Sequence, residues 1–277
     1  MPKSKLNIIA ILILSSLFST LCLADELILK DSTEIEESYI QSNSVATNFG
    51  RVQQGGETRV VIAQGPIYSN ARKIAFRATN LDDSLDARSV TGLVDSAYID
   101  WYIQAISNTG DSSGVYWVVR LSPLEPEKDW LEGNENAATA IDAVTWDSCV
   151  HIGAGSGPGI AWATAGAAGT ADTVGYATGM TMDSVKITMD STAGDRIRFY
   201  LDPQQIDDMR TAGANNGWLI ATTSKSGNIA AAIQLYGSET SVTGRADSIP
   251  ALHLFYTAAA GSSSKKLGAA KLGAGKW

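Results

Sequence analysis

Apolar and polar residues alternate with a period of two over most of this chain, and helical spacing is rare. Strands are predicted at 27–29 (LIL), from Tyr39-Ile40 onward, and at 58–64 (TRVVIAQ), 73–78 (KIAFRA), 97–106 (AYIDWYIQAI) and 114–121 (GVYWVVRL). Five more follow at 184–189 (SVKITM), 196–201 (RIRFYL), 218–222 (WLIAT), 229–236 (IAAAIQLY) and 251–256 (ALHLFY). Within 97–106, Tyr98, Asp100 and Tyr102 fall on one face, and Ile99, Trp101 and Ile103 on the other. Gly, Asn, Asp, Ser and Pro fill the gaps, as turns require. One helix is predicted over 202–212 (DPQQIDDMRTA), with Asp202 as cap, Pro203 at the first helical position and Gly213 as stop. Strands and helices do not alternate, so a doubly wound parallel sheet is excluded. The expected fold is all-β: a jelly-roll-like antiparallel β-sandwich with one short helix.

The ends read differently. Lys3 and Lys5 precede an apolar run over 6–21, and Cys22-Leu23-Ala24 places small residues three and one before a cut at Asp25. Residues 1–24 are therefore read as a secretory signal peptide. A retained membrane helix would need about 20 apolar residues and a basic flank, whereas Asp25 and Glu26 follow this run. Acylation of Cys22 is disfavoured by the bulky Leu21 before it. Residues 25–42 are set apart as an N-terminal segment, 43–257 as the sandwich domain and 258–277 as a flexible basic tail. The stretch 153–181 is rich in Gly, Ala and Thr and nearly uncharged; it reads as a long surface loop or as a close-packing contact surface, with Trp162 and Tyr176 as anchors in either case.

Charge narrows the partners. The whole chain carries −8, but between 25 and 260 there are 15 Lys and Arg against 29 Asp and Glu, a net −14. An acidic body repels phosphate backbones, so nucleic acid is not an expected partner. After leader removal no membrane segment is expected either. Cys149 is then the single cysteine, so the fold must rest on packing and strand pairing rather than on a disulfide.

No constellation points to catalysis. Cys149 and His151 share a strand face at i and i+2, but no orienting third group or oxyanion site accompanies them. His253 lies in an alternating strand. One cysteine and two histidines do not make a zinc site. No cofactor is expected. Calcium is the ion the composition admits, through Asp82, Asp83, Asp86, Asp111, Glu132, Asn134 and Glu135 in predicted loops, but none has a recognisable site spacing and a solvated acidic rim is the favoured reading. Flat aromatic rings cover the apolar faces of sugars, and Trp130, in a polar loop with Glu132 and Asn134, is the candidate glycan platform, although structural packing of this ring is the favoured reading.

Several segments recur in an order that resembles the DNRLRE-domain proteins, a group that includes the family 96 carbohydrate-binding modules. Thr47-Asn48-Phe49-Gly50 is similar to the family's early Asn-aromatic-Gly turn, and 72–78 (RKIAFRA) resembles its Arg-led strand without the usual Asp after the Phe. The stretch 96–102 (SAYIDWY) resembles the next strand, and Trp130-Leu131-Glu132 with Val144-Thr145-Trp146 resembles a "W-x-E … V-T-W" pair. Residues 215–220 (NNGWLI) and 250–256 (PALHLFY) are similar to the family's last two strand entries. The resemblance spans about 35–256. It implies a two-sheet jelly-roll-like sandwich carried on secreted or surface proteins, with glycan binding in some members.

Two function classes follow. The first is a secreted, non-catalytic structural subunit of a cell surface or extracellular filament. It would self-associate when Leu27, Ile28 and Leu29 add as a strand to the sheet edge of a neighbouring copy. The second is a carbohydrate-binding module for an extracellular polysaccharide. An enzyme is not expected.

Overall fold

The structure, a computed structural model, describes residues 24–30, 32–43, 47–49, 53–54, 57–63, 71–109, 116–124, 130, 138–139, 144–150, 160–168, 171–173, 183–188, 190–210, 215–225, 230–238, 240 and 247–257. In chain order the elements are β1 (Asp25–Lys30), β2 (Ile35–Gln41), β3 (Thr47–Asn48), β4 (Gln53–Gln54), β5 (Glu57–Ala63), β6 (Arg72–Ala78), α1 (Leu81–Asp86), β7 (Ser96–Thr109), β8 (Tyr116–Pro123), β9 (Ala138–Thr139), β10 (Ser148–Val150), β11 (Ile160–Ala161), β12 (Ser184–Thr188), β13 (Arg196–Leu201), α2 (Pro203–Arg210), β14 (Trp218–Lys225), β15 (Ala230–Tyr236) and β16 (Ala251–Tyr256).

All strand pairings are antiparallel, and twelve strands form one connected ladder, β1-β16-β7-β15-β5-β6-β14-β8-β12, with β13 on β7, β2 on β6 and β4 on β5. The ladder folds over because β7 changes partner along its length. Its first half pairs with β16 and β13 through Asp100 and Tyr102, and its second half pairs with β15 from Ile103. One layer is thus β1-β16-β7-β13, and the other is built on β2-β6-β14-β8-β12.

The core lies between these layers. Leu27, Leu29, Ile99, Trp101, Phe199, Leu252 and Leu254 from the first meet Ile35, Val61, Ile74, Phe76 and Ile220 from the second. Phe76 bridges them, 5.1 Å from the Trp101 ring and 6.1 Å from that of Trp218. Two buried indoles spend their N–H groups inside: Trp101 donates to the Tyr236 carbonyl at 2.6 Å, and Trp218 to Gln205 Oε1 at 3.3 Å. This satisfies donors that would otherwise weaken an apolar interior.

The all-β expectation holds, with two departures. A second helix, α1, occupies a stretch read as an acidic loop; Leu81 and Leu85, one turn apart, bury against the core and outweigh the poor helix propensity of its aspartates. The segment 25–42 is laid into both sheets: β1 pairs with β16, and β2 runs the length of β6 from Ile35↔Ala78 to Gln41↔Arg72. Residues 1–23 and 258–277, read as leader and tail, fall outside the described residues. No helix among the described residues is long and apolar enough to cross a membrane.

Candidate interaction surface

Each layer has an outer face, and the two differ. On the second layer, period-two alternation turns Ile40, Ala75 and Leu219 outward, yet all three are buried. They pack with Leu124, Trp130, Val144, Cys149, Trp162 and Ala167. Trp130 donates its indole N–H to the Asn216 carbonyl at 2.8 Å, and Trp162 donates to that of Thr145 at 2.9 Å. Cations from β6 lie over the rings: Arg77 is 5.0 Å from the Trp130 centroid, and Lys73 is 5.5 Å from that of Trp146. Arg77 also pairs with Glu36 at 2.7 Å, while Lys73 donates to the Gly166 carbonyl at 2.6 Å. Burial lowers the Lys73 pKa from its ordinary range, with Asp172 opposing the shift. Asp172 is itself buried and accepts from the Ala163 and Thr164 amides. At Gly217, φ is +67° and a Cβ would collide with the Phe76 carbonyl oxygen, so no other residue fits unstrained.

Trp130 is therefore not a glycan platform. Its side chain is wholly enclosed, its N–H is used and one face lies under Arg77. Its polar neighbours suggested exposure, but they do not govern where the ring goes. Glu132 and Asn134 lie outside the described residues, as do His151, Tyr176, Asp111 and Glu135. Cys149 is buried, with its Sγ 3.1 Å from the Ile160 carbonyl oxygen. The Gly/Ala-rich stretch, where described, is a covering layer anchored by Trp162.

Asp82 and Asp86 face a cation of the chain itself. Arg210 on α2 lies 3.7 Å from Asp82 and 3.2 Å from Asp86, and it also donates to the Val90 carbonyl. Among the described residues, no group of three His, Cys, Asp or Glu side chains is placed to hold a metal ion.

The outer face of the first layer is exposed in part, at Ile28, Arg196 and Tyr200. Register places Ile28 opposite His253, His253 opposite Tyr98 and Tyr98 opposite Tyr200. This is one straight row across β1, β16, β7 and β13. Ile28 and Tyr200 are 41% and 63% exposed, so the ends of the row stand clear of the sheet. Tyr98 stacks on His253 at 4.5 Å and meets Tyr200 edge-on at 6.1 Å, with Phe255 5.7 Å away. A charged row runs beside it. Arg198 holds Asp100 through two bonds of 2.7 Å and lies 3.6 Å over the Tyr98 ring. Arg196 approaches Asp100 at 3.6 Å, and His253 contacts Glu26 at 2.8 Å through Nδ1 and Asp100 at 3.7 Å through Nε2. The hydrogen bond to Asp100 holds the Arg198 pKa above its ordinary value, and burial raises that of Tyr98.

Leu27 and Leu29 point from β1 into the core, and Ile28 points out. Among the described strands, β1 pairs only with β16 and is the last strand of its sheet. Comparison with known proteins adds no assignment: no family model and no curated protein matches this chain.

Proposed function

We propose that this protein is a secreted, non-catalytic β-sandwich subunit of an extracellular or cell-surface structure, assembled by addition of β1 to a neighbouring copy. The observation that carries the reading is the position of β1. It is a terminal strand on a sheet edge, held by one six-residue ladder to β16, with Leu27 and Leu29 filling the core behind it. The next strand, β2, belongs to the other layer, and only 31–34 join the two. The ladder that β1 makes to its own β16 could be made identically to the β16 of another copy. Each exchanged leucine then buries the same area, about 1.5–3 kcal/mol apiece, so exchange costs little beyond association entropy. A head-to-tail exchange whose rotation does not close back on the first copy builds a filament. The predicted leader cut falls at Asp25, where β1 begins, so export would release the strand at a free N-terminus.

Ile28 and His253 are directly opposed in the ladder and lie on the outer face, so a disulfide between Ile28→Cys and His253→Cys reports which β16 receives β1. Under strand addition, oxidation of assembled protein gives a ladder of covalent multimers on a non-reducing gel, and electron microscopy shows filaments. Covalently closed monomers alone, at concentrations where assembly was sought, would overturn the reading.

A further inference from the structure

We propose that the free edge of β1 is a self-recognition surface, on which a second copy of this chain docks β1 against β1 about a twofold axis. The inference does not rest on strand exchange. Whether β1 sits on its own β16 or on that of a neighbour, it is the last described strand of its sheet, and the same edge faces outward.

Backbone direction identifies what this edge offers. Lys30 donates its amide to the Glu34 carboxylate at 2.9 Å, so that N–H is not spent on β16. On β16, the Phe255 carbonyl accepts from the Asp95 amide, just before β7, at 2.7 Å. Phe255 therefore turns to β7, while Leu252 and Leu254 turn to β1, where their partners are Leu29 and Leu27. Backbone groups alternate sides along a strand, so Leu27 and Leu29 bond inward, and Glu26, Ile28 and Lys30 present theirs to the free edge. Contacts on opposite sides of the ladder thus give the same parity. An edge of this kind is a template for another strand.

The side chains choose the partner. The outward row is Glu26, Ile28 and Lys30, all exposed, and its charges meet their own complement when the strand is reversed. With Ile28 opposite Ile28 of the second copy, Glu26 meets Lys30 of the second copy at both ends, and the central pair exchanges both backbone bonds. The one apolar residue of the row lies on the axis. A slip of two residues sets Ile28 against a charge, and a slip of one sets free amides against bonded ones. Such a contact is isologous and closes on two copies; in a filament it would join subunits side by side.

The experiment uses the full chain carrying Ile28→Cys, with Cys149 buried and out of reach. Oxidation should give a covalent dimer on a non-reducing gel, because the axis sets the two introduced thiols opposite each other. Strand exchange alone sets position 28 against His253 and gives no such band, so the two readings fail separately. Adding Lys30→Glu should slow dimer formation roughly tenfold, since two attractive pairs become two repulsive ones, and adding Glu26→Lys instead should do the same. An equimolar mixture of the two chains should restore the rate, because only the mixed pair brings opposite charges together at both ends. Circular dichroism of each variant should match the parent, because all three positions lie outside the core. The proposal is overturned if Ile28→Cys stays monomeric, if charge reversal leaves the rate unchanged, as in random collision of exposed thiols, or if the mixture does no better than either chain alone.

Discussion

The two outer faces of the sandwich start from the same pattern and end in opposite states. On β6 the residues between the core positions are Lys73, Ala75 and Arg77; on β7 they are Tyr98, Asp100 and Tyr102. Both sets alternate with inward apolar residues. The first set lies under Trp130, Trp146 and Trp162, its cations converted into lids over indole rings. In the second set Tyr98 and Tyr102 stay partly exposed, and Asp100 is buried beneath Arg198, which holds it and lies over Tyr98. The difference comes from the side chains that pack on the first set, Trp130, Trp146 and Trp162 among them, not from either strand. A tryptophan is enclosed on one face, whereas Tyr200 is largely exposed on the other.

The widest gap between the faces should appear when one ring is removed from each. Trp130→Ala empties an enclosed site and removes the indole donor to the Asn216 carbonyl, and should cost about 3–5 kcal/mol in urea unfolding. Tyr200→Ala should change stability by no more than about 0.5 kcal/mol, since a largely exposed ring loses little. Equal losses would break the contrast.

Gly217→Ala tests the covered side through its backbone. The new methyl meets the Phe76 carbonyl at a positive φ, and a loss of about 1–3 kcal/mol is expected from strain alone. An unchanged unfolding midpoint would mean that the β6–β14 approach is looser than described.

Asp100→Asn sharpens the open side. It keeps the shape but removes the charge that Arg198, Arg196 and His253 share, and should cost about 1–2 kcal/mol, less than a fully enclosed pair because Arg198 is partly solvated. A stabilised variant would sink this account of the pair.

The smallest effect is a slope. The folded Lys73 binds its proton less tightly than the unfolded chain does, because burial disfavours its charge. Between its lowered pKa and the ordinary lysine value, the unfolded state therefore holds more protons, and stability rises with pH across that window. Lys73→Met should flatten the rise in pH-dependent unfolding. A slope unchanged by the substitution would assign it to another group.

Much of the fold was legible. The strands at 196–201 and 251–256 end where local alternation places them, and the helix over 203–210 follows from Pro203 and the cap at Asp202, whose Oδ1 accepts from the Gln204 amide. The short strands β10 and β11 were not, because two or three residues carry no periodicity and the pairing alone makes them strands. The candidate surface was half legible. The face carrying Tyr98, Asp100 and Tyr102 follows from alternation within β7, but its meeting with Arg198, Tyr200 and His253 depends on register between strands about 100 and 150 residues away. That Trp130 packs was the favoured reading, but its partners were not legible for the same reason, since the Asn216 carbonyl and the Arg77 guanidinium that enclose it come from distant segments.

The sequence by itself determined that this chain makes antiparallel strands and which side chains of each strand go together, because side-chain direction in a strand is fixed by a period of two. Only the tertiary structure decided which of the two outward faces is covered and where β1 lies. Coverage depends on how a long connection returns across a sheet, and that is settled by packing between residues far apart in the chain.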